Sequence, residues 1–342
     1  MKLLSGYEHG INLGGWFSQC NHTQTRYEQF IKKNDFARIR DWGLDHVRLP
    51  VDYELVQNRD GSLRHEGFRY LDRAIEWCSR YKLNMILDLH KACGYSFDQG
   101  EQETGFFENS VYQEYFYQLW EALAERYGHS GQSVSFELLN EVTDQAYSDQ
   151  WNRIASECIH RIRHIAPDVW ILVGGYWNNS IDSLADLKLP RDPHLVYNFH
   201  FYEPLIFTHQ GAAWIPTMKQ DFRISASASY AELQSASDAM LGYFPDRFSL
   251  CNPSSPLGPE YFEQAFAKAI RIAETENVPL YCGEYGVIQL ARHEDILHWY
   301  RLFSGALNRL HIGRAAWNYK QMDFGISDPC MEDIRQALIA CL

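Results

Sequence analysis

The sequence predicts an α/β fold: a (β/α)8 TIM barrel with a small subdomain inserted after strand 6. Three observations predict it. Short apolar runs alternate eight times with helical patterns, at a period of roughly 35 to 45 residues, near the length of one βαβ unit. The runs carry apolar residues at both odd and even positions, as strands buried on both faces do. Most of them end in groups able to ionise, donate or stack, and the C-terminal ends of barrel strands are where such a fold places its chemistry. The 342 residues suit one large barrel, for which about 250 is typical and insertions are common. A doubly wound open sheet would need a Gly-rich phosphate loop after an early strand, and Gly14-Gly15 is not one.

Gly10–Trp16 opens the chain as a short strand and loop. Arg26–Trp42 has helical spacing, with Phe30, Ile31, Phe36, Ile39 and Trp42 as its apolar stripe, and Gly43 stops it. Asp45–Pro50 is the second strand, ended by Pro50, with Arg48 near its exit. Phe68–Tyr81 is a helix and Leu83–His90 the third strand. Val111–Tyr127 is a helix stopped by Gly128. Val134–Glu141, Val-Ser-Phe-Glu-Leu-Leu-Asn-Glu, is the fourth strand, with Glu137 as a polar exception inside it. Ser148–Ile165 is a helix, Val169–Gly174 the fifth strand and Ile181–Leu187 a short helix. Leu195–His200 is the sixth strand and runs on into Phe-Tyr-Glu-Pro204. Pro259–Asn277 is a helix, Pro279–Glu284 the seventh strand, His293–Leu310 a helix, His311–Trp317 the eighth strand and Met331–Cys341 a closing helix.

One connection is too long for a plain loop. Glu203 to Pro259 spans about 55 residues rich in Ser, Ala and aromatics, among them Phe207, Trp214, Phe222, Tyr230, Tyr243, Phe244 and Phe248. Ala226–Leu241 has helical character. The domain organisation expected is therefore one catalytic domain over residues 1–342, with residues 205–258 as an inserted subdomain over the active-site cleft. It leaves the C-terminal face of the barrel, so it sits at the mouth.

Composition narrows the function. Aromatics make up 15% of the chain, with 10 Trp and 21 Tyr, more than a core needs and well suited to a cleft that stacks on sugar rings. The net charge of −13 argues against nucleic acid or an anionic membrane as partner, since both need basic patches, and fits a neutral substrate. No apolar run approaches the roughly 20 residues of a membrane span. Met1-Lys-Leu-Leu-Ser-Gly starts like a signal peptide, but Tyr7–Gly10 interrupts it before an apolar region forms. The eight Cys are scattered without a CxxC pair, and Cys78, Cys158 and Cys282 lie in apolar patterns. Buried free thiols in a reducing compartment fit this better than a disulfide framework. The expectation is a cytoplasmic monomer, with export by another route or a removed signal left open.

The strand ends offer Arg48, His90, Asn140 with Glu141, His200 with Tyr202, Glu284 and Trp317. Two opposed carboxylates suit glycosidic bond cleavage. The leaving oxygen needs a proton, and the anomeric carbon needs a nucleophile, or a base acting through water, on its other face. The two roles require one protonated and one ionised carboxyl. Arg48 beside Glu284 would keep that residue ionised, and Tyr202 would bond to it. His200 would help Glu141 hold and exchange its proton, and Asn140 would bond the sugar 2-hydroxyl. Carboxyl groups about 5 Å apart mean retention and about 6.5–9.5 Å apart inversion.

These residues carry a resemblance. Val-Arg48-Leu-Pro, Asp-Leu-His90, Leu-Asn140-Glu141, His200-Phe-Tyr202, Gly-Glu284-Tyr-Gly and Trp317-Asn-Tyr together resemble glycoside hydrolase family 5, of clan A, over nearly the whole chain. Gly10–Trp16, Phe136–Asn140, Tyr197–Tyr202, Phe207–Gln210, Tyr281–Glu284 and Trp317–Lys320 look closer still to the bacterial endoglucanase C type. That type also carries a subdomain after strand six. The resemblance implies a retaining endo-β-glucanase acting on β-1,4-glucans of cellulose type or mixed-linkage β-1,3-1,4-glucans, with Glu141 as acid/base and Glu284 as nucleophile. No cofactor and no metal are expected. Past Trp214 the inserted segment matches less clearly. Trp214 is a candidate stacking platform over the cleft, the other reading being a place in the subdomain's own core.

Three other functions compete. A metal-dependent barrel hydrolase using His90 and His200 commonly needs a His pair on the first strand, and Ile11-Asn-Leu-Gly-Gly has none. A sugar-binding protein without catalysis should have lost a catalytic Glu, and both are present. An exo-acting β-glucosidase or β-1,3-glucanase of the same family differs in whether the site is a pocket or a cleft, which the inserted segment controls.

Overall fold

Eight parallel strands close into one barrel in the computed structural model, which describes residues 2–98, 100–242, 248 and 251–342. In chain order they are β1 (His9–Asn12), β2 (His46–Asp52), β3 (Asn84–Lys91), β4 (Val134–Glu137), β5 (Ile171–Val173), β6 (Leu195–Phe201), β7 (Leu280–Tyr285) and β8 (Gly313–Ala316). Each pairs with the next and β8 pairs with β1, so the ring has no open edge. Residues of β2 and β6 are buried at every position. One side of each strand faces the barrel interior and the other the helices, which is why the apolar runs do not alternate. Among the described residues, no helix is long and apolar enough to cross a membrane. All eight cysteines are free, and Cys78, Cys158 and Cys282 are buried.

Several elements differ from the sequence expectation. The stretch Arg26–Trp42 is two helices, Gln24–Gln29 and Lys33–Asp41. Phe30 and Ile31 turn into the core between them, and Lys32 N donates to Asp35 Oδ2 (2.8 Å) to start the second. Pro50 does not end β2. The β1 ladder stops at Asn12 opposite Arg48, and the next donor on that side, Asp52 N, bonds to Phe17 O outside it. The missing N–H of Pro50 therefore costs no ladder bond, and Arg48 lies inside the barrel rather than at the exit. The fourth strand leaves the ladder after Glu137, and the chain bends through Asn140 to Glu141, which has φ +44°. His311 (φ +54°) closes the preceding helix instead of opening β8. The chain's last segment is a short 3-10 turn and the five-residue helix Arg335–Ile339.

After β6 come a short helix, Leu205–Thr208, and a second, Tyr230–Met240. Ser229 caps the latter through a reciprocal exchange with Glu232. Tyr230 and Leu233 join the same apolar cluster as Phe262 and Phe266 of the helix Pro259–Glu276, so this segment is anchored to the barrel's outer layer. Tyr243 and Phe244 lie outside the described residues.

Candidate active site

A ring of buried polar side chains forms the floor of the site, and Arg48 is its hub. The guanidinium is fully buried. Nε and Nη2 make a bidentate pair with Glu137 (2.7 and 2.8 Å). Nη1 reaches Asn12 Oδ1 (2.9 Å) and Glu284 Oε1 (2.7 Å), and Nη2 also reaches Asn140 Oδ1 (2.9 Å) and Asp88 Oδ2 (3.0 Å). Every N–H of the fork is taken, which a buried guanidinium requires. Burial alone would lower its pKa, but Asp88, Glu137 and Glu284 hold it well above the usual value. Glu137 accepts again from Asn198 Nδ2 (2.8 Å), and Asn198 Oδ1 accepts from Gly283 N (2.9 Å). Asn12 Nδ2 donates to Gly283 O (2.9 Å). Strands β1, β2, β3, β4, β6 and β7 are thus tied together directly beneath the mouth.

Glu284, on β7, receives Arg48 on Oε1 and the Tyr202 hydroxyl on Oε2 (2.9 Å). Both oxygens act as acceptors, which suits a carboxylate. Glu141 receives Asn178 Nδ2 on Oε2 (2.9 Å), and its Oε1 lies 2.7 Å from His200 Nδ1. Tyr95 Oη donates to the Glu141 carbonyl (2.6 Å) and accepts from Thr143 N, which holds the left-handed bend at Glu141. Burial pushes the Glu141 carboxyl up, against the lowering effects of Asn178, His90 and Arg48. Burial takes the His200 imidazole down to about 4. Near neutral pH the contact is therefore a hydrogen bond of a neutral ring, not an ion pair. The two carboxyl groups thus have different partners: Arg48 and Tyr202 donate to Glu284, whereas Glu141 meets Asn178 and a neutral His200 ring.

On the opposite wall His90 stacks on Trp317 (centroids 5.8 Å apart, planes 6° apart). His90 Nδ1 lies 2.6 Å from Asp88 Oδ2, and burial raises the Asp88 carboxyl to about 7 despite Arg48. The Trp317 ring packs over Gly14, where a Cβ would come within 2.6 Å of the indole. Gly14 N also donates to Asn318 Oδ1 (3.0 Å), so the opening loop and β8 are clamped around the tryptophan.

Eight of the residues singled out by sequence surround this centre: Arg48, His90, Asn140, Glu141, His200, Tyr202, Glu284 and Trp317. Trp214 lies on the rim. It is 49% exposed and meets the edges of His209 (5.8 Å) and Phe324 (6.3 Å), which in turn pack on Tyr202. Sequence reasoning missed Asn12, Asp88, Asn178 and Asn198, and noted Glu137 without a role. A polar residue within a run otherwise buried on both faces was the available signal for Glu137, Asp88 and Asn198.

Among the described residues, two groups bring three metal-type donors within 4.8 Å of one another: Glu141, His200 and Glu284, and His22, Asp52 and Glu54. In the first, His200 Nδ1 is engaged with Glu141, and both Glu284 oxygens hold protein donors. In the second, burial opposes the His22 charge, but the bond to Asp52 (3.2 Å) and contacts with Cys20 raise it to about 10. The other nitrogen of the His22 ring, Nδ1, lies 2.9 Å from the Tyr27 hydroxyl, so both ring nitrogens already have protein partners.

Comparison with known proteins places this geometry. The sequence profile of Cellulase (glycosyl hydrolase family 5) matches residues 7–323. Cellodextrinase A of Ruminococcus flavefaciens is 47% identical over 309 residues, covering 90% of this chain and 84% of that protein. Endoglucanase C of Acetivibrio thermocellus is 36% identical over 343 residues, covering 99% and 98%. The crystal structure of endoglucanase Cel5A from the hyperthermophilic Thermotoga maritima superposes with a TM-score of 0.79 over 98% of this chain and 97% of that one. At 21% identity that likeness is one of fold.

Proposed function

The chain belongs to glycosyl hydrolase family 5, and from that membership we propose a retaining endo-β-glucanase. It cleaves β-1,4-glucosidic bonds in cello-oligosaccharides and cellulose-type chains, and in mixed-linkage β-1,3-1,4-glucans. Glu141 is the acid/base and Glu284 the nucleophile. In the first step a Glu284 oxygen bonds to the anomeric carbon, the glycosidic C–O bond breaks, and the Glu141 proton goes to the leaving oxygen. In the second, Glu141 takes a proton from water as the water oxygen displaces Glu284. Arg48 and Tyr202 hold the nucleophile, Asn140 faces the sugar 2-hydroxyl, and His90 and Trp317 wall the reacting sugar.

One observation supports the retaining mechanism: the two carboxyl groups approach closely, with an oxygen of Glu141 and one of Glu284 within 4.8 Å of each other and both near His200 Nδ1 (2.7 and 3.6 Å). Retaining pairs sit about 5–5.5 Å apart, and inverting pairs need about 6.5–9.5 Å to admit a water. The substrate class rests on the relatives, one named a cellodextrinase and one an endoglucanase. Two assays test the proposal. Proton NMR during early turnover of cellopentaose should show the β-anomer first, and α-product first would exclude retention. Reduced cellopentaose and mixed-linkage glucan should yield oligosaccharides from internal cuts. Release of glucose alone from chain ends would favour the exo-acting alternative.

In this reading the inserted segment after β6 lines one wall of the cleft through His209 and Trp214, and Trp214 stacks on a glucan ring there. Trp214→Ala should weaken cello-oligosaccharide binding by about 1–3 kcal/mol, the scale of burying one aromatic face. Because the ring is half exposed, the melting temperature should hardly move, whereas removing a core tryptophan costs about 3–5 kcal/mol. Calorimetric titration and a thermal melt on the same variant decide the matter. Lost stability with unchanged affinity would return Trp214 to a packing role.

A further inference from the structure

The turn after β5 is strained in a way the barrel does not require. Trp177, Asn178 and Asn179 are three consecutive left-handed residues, at φ +50°, +56° and +54°. Asparagine tolerates that region, but a run of three, with a tryptophan at its head, persists only when its surroundings hold it. The turn is held where it meets the acid/base. Asn178 N donates to Val142 O (3.0 Å), one residue beyond Glu141. Asn178 Nδ2 donates to Glu141 Oε2 (2.9 Å). The buried amide of Asn179 lies 3.4 Å from His200 Nε2, and the other nitrogen of that ring meets Glu141 Oε1. One turn thus reaches both oxygens of the same carboxyl, directly through Asn178 and by way of His200 through Asn179.

We propose that Asn178 is a positioning residue for Glu141: the left-handed turn Trp177–Asn179 holds its amide against Oε2, so that the carboxyl is oriented for proton delivery and its ionised form is stabilised for the second half-reaction. The proposal rests on the reading of Glu141 as acid/base. That residue must be protonated in one step and ionised in the next, and a donor fixed on one oxygen favours the ionised state. Among the described residues, the other groups that face Glu141 are His200 and Tyr202 from β6 and its exit, Glu284 from β7, His90 and Asp88 from β3, Tyr95 from the loop after β3, and Arg48 from β2. None of these side chains is itself removed or altered by a substitution at Asn178, and glycine and aspartate both keep the left-handed turn that places Asn179 against His200. A shift on removal of the Asn178 side chain therefore belongs to its amide.

Asn178→Gly tests this, because glycine adopts the left-handed conformation freely and removes only the side chain. Asn178→Asp also tolerates the turn, but it replaces the donor with a like charge. The readout is kcat/KM on cellopentaose across pH, with melting temperature as the control for folding. The alkaline limb reports loss of the Glu141 proton in the free enzyme. Losing the donor destabilises the ionised form, so the proton is held to higher pH. The limb should move up by about one pH unit in Asn178→Gly and further in Asn178→Asp. A turn that only shapes the backbone would lower activity equally at every pH. If the limb disappears in Glu141→Gln but stays unmoved in both Asn178 variants, the positioning role is wrong and the acid/base assignment stands. If the limb persists in Glu141→Gln, both are wrong.

Discussion

Glu284→Gln should bring turnover to background on every substrate, a loss of at least about 10⁴-fold, because an amide cannot form the glycosyl-enzyme. The substitution keeps the side-chain shape, and the Arg48 floor remains fastened by Glu137, Asp88, Asn12 and Asn140. Oligosaccharide binding should therefore survive within a few-fold. Good leaving groups should not rescue the variant, since the missing element is the bond to the anomeric carbon and not the proton. Residual turnover that rises with leaving-group quality would show that another group attacks the sugar.

Glu141→Gln should cost at least about 10²-fold on cello-oligosaccharides, the usual scale for general acid catalysis. Its signature differs from that of Glu284→Gln. An aryl cellobioside with a good leaving group needs little protonation, so its first step should be nearly as fast as in the wild type. The second step should be slow for want of a base. Rapid-mixing measurements should then show a burst of aryl alcohol followed by slow turnover. Equal losses in the first step on both kinds of substrate would argue against the acid role. Burial pushes the Glu141 carboxyl up, so the wild-type enzyme should retain the proton at pH values where an ordinary carboxyl has lost it.

The mouth of this barrel was legible in the sequence because topology does most of the work. Once eight strand–helix alternations are recognised, all strand ends share one face, and residues as distant as Arg48 and Trp317 become neighbours without any contact being known. What was hidden follows from the same logic. Asp88, Glu137 and Asn198 lie within strands, where the rule of reading strand ends does not look, and their partners are set by barrel closure. Glu137 stood out as a carboxylate in an apolar run, yet its bidentate partner lies two strands away on β2. Asn178 had no signal at all. It sits in a left-handed turn whose shape is set by tertiary contacts with Val142, Glu141 and His200. Pro50 read as a stop because a proline usually ends a ladder, but here the neighbouring ladder has already ended. The Phe30–Lys32 break was masked by apolar residues that fit a continuous stripe equally well.

The central claim is a covalent intermediate on Glu284, formed opposite a proton donor at Glu141. Incubation with a 2-deoxy-2-fluoro cellobioside carrying a good leaving group slows both steps, the second most, and should trap the sugar on the enzyme. Intact mass should rise by one fluoroglycosyl unit, and peptide mapping should place it on Glu284, within Leu280–Tyr285. A label on any other residue, or time-dependent inactivation absent under conditions where the natural substrate turns over, would contradict the account.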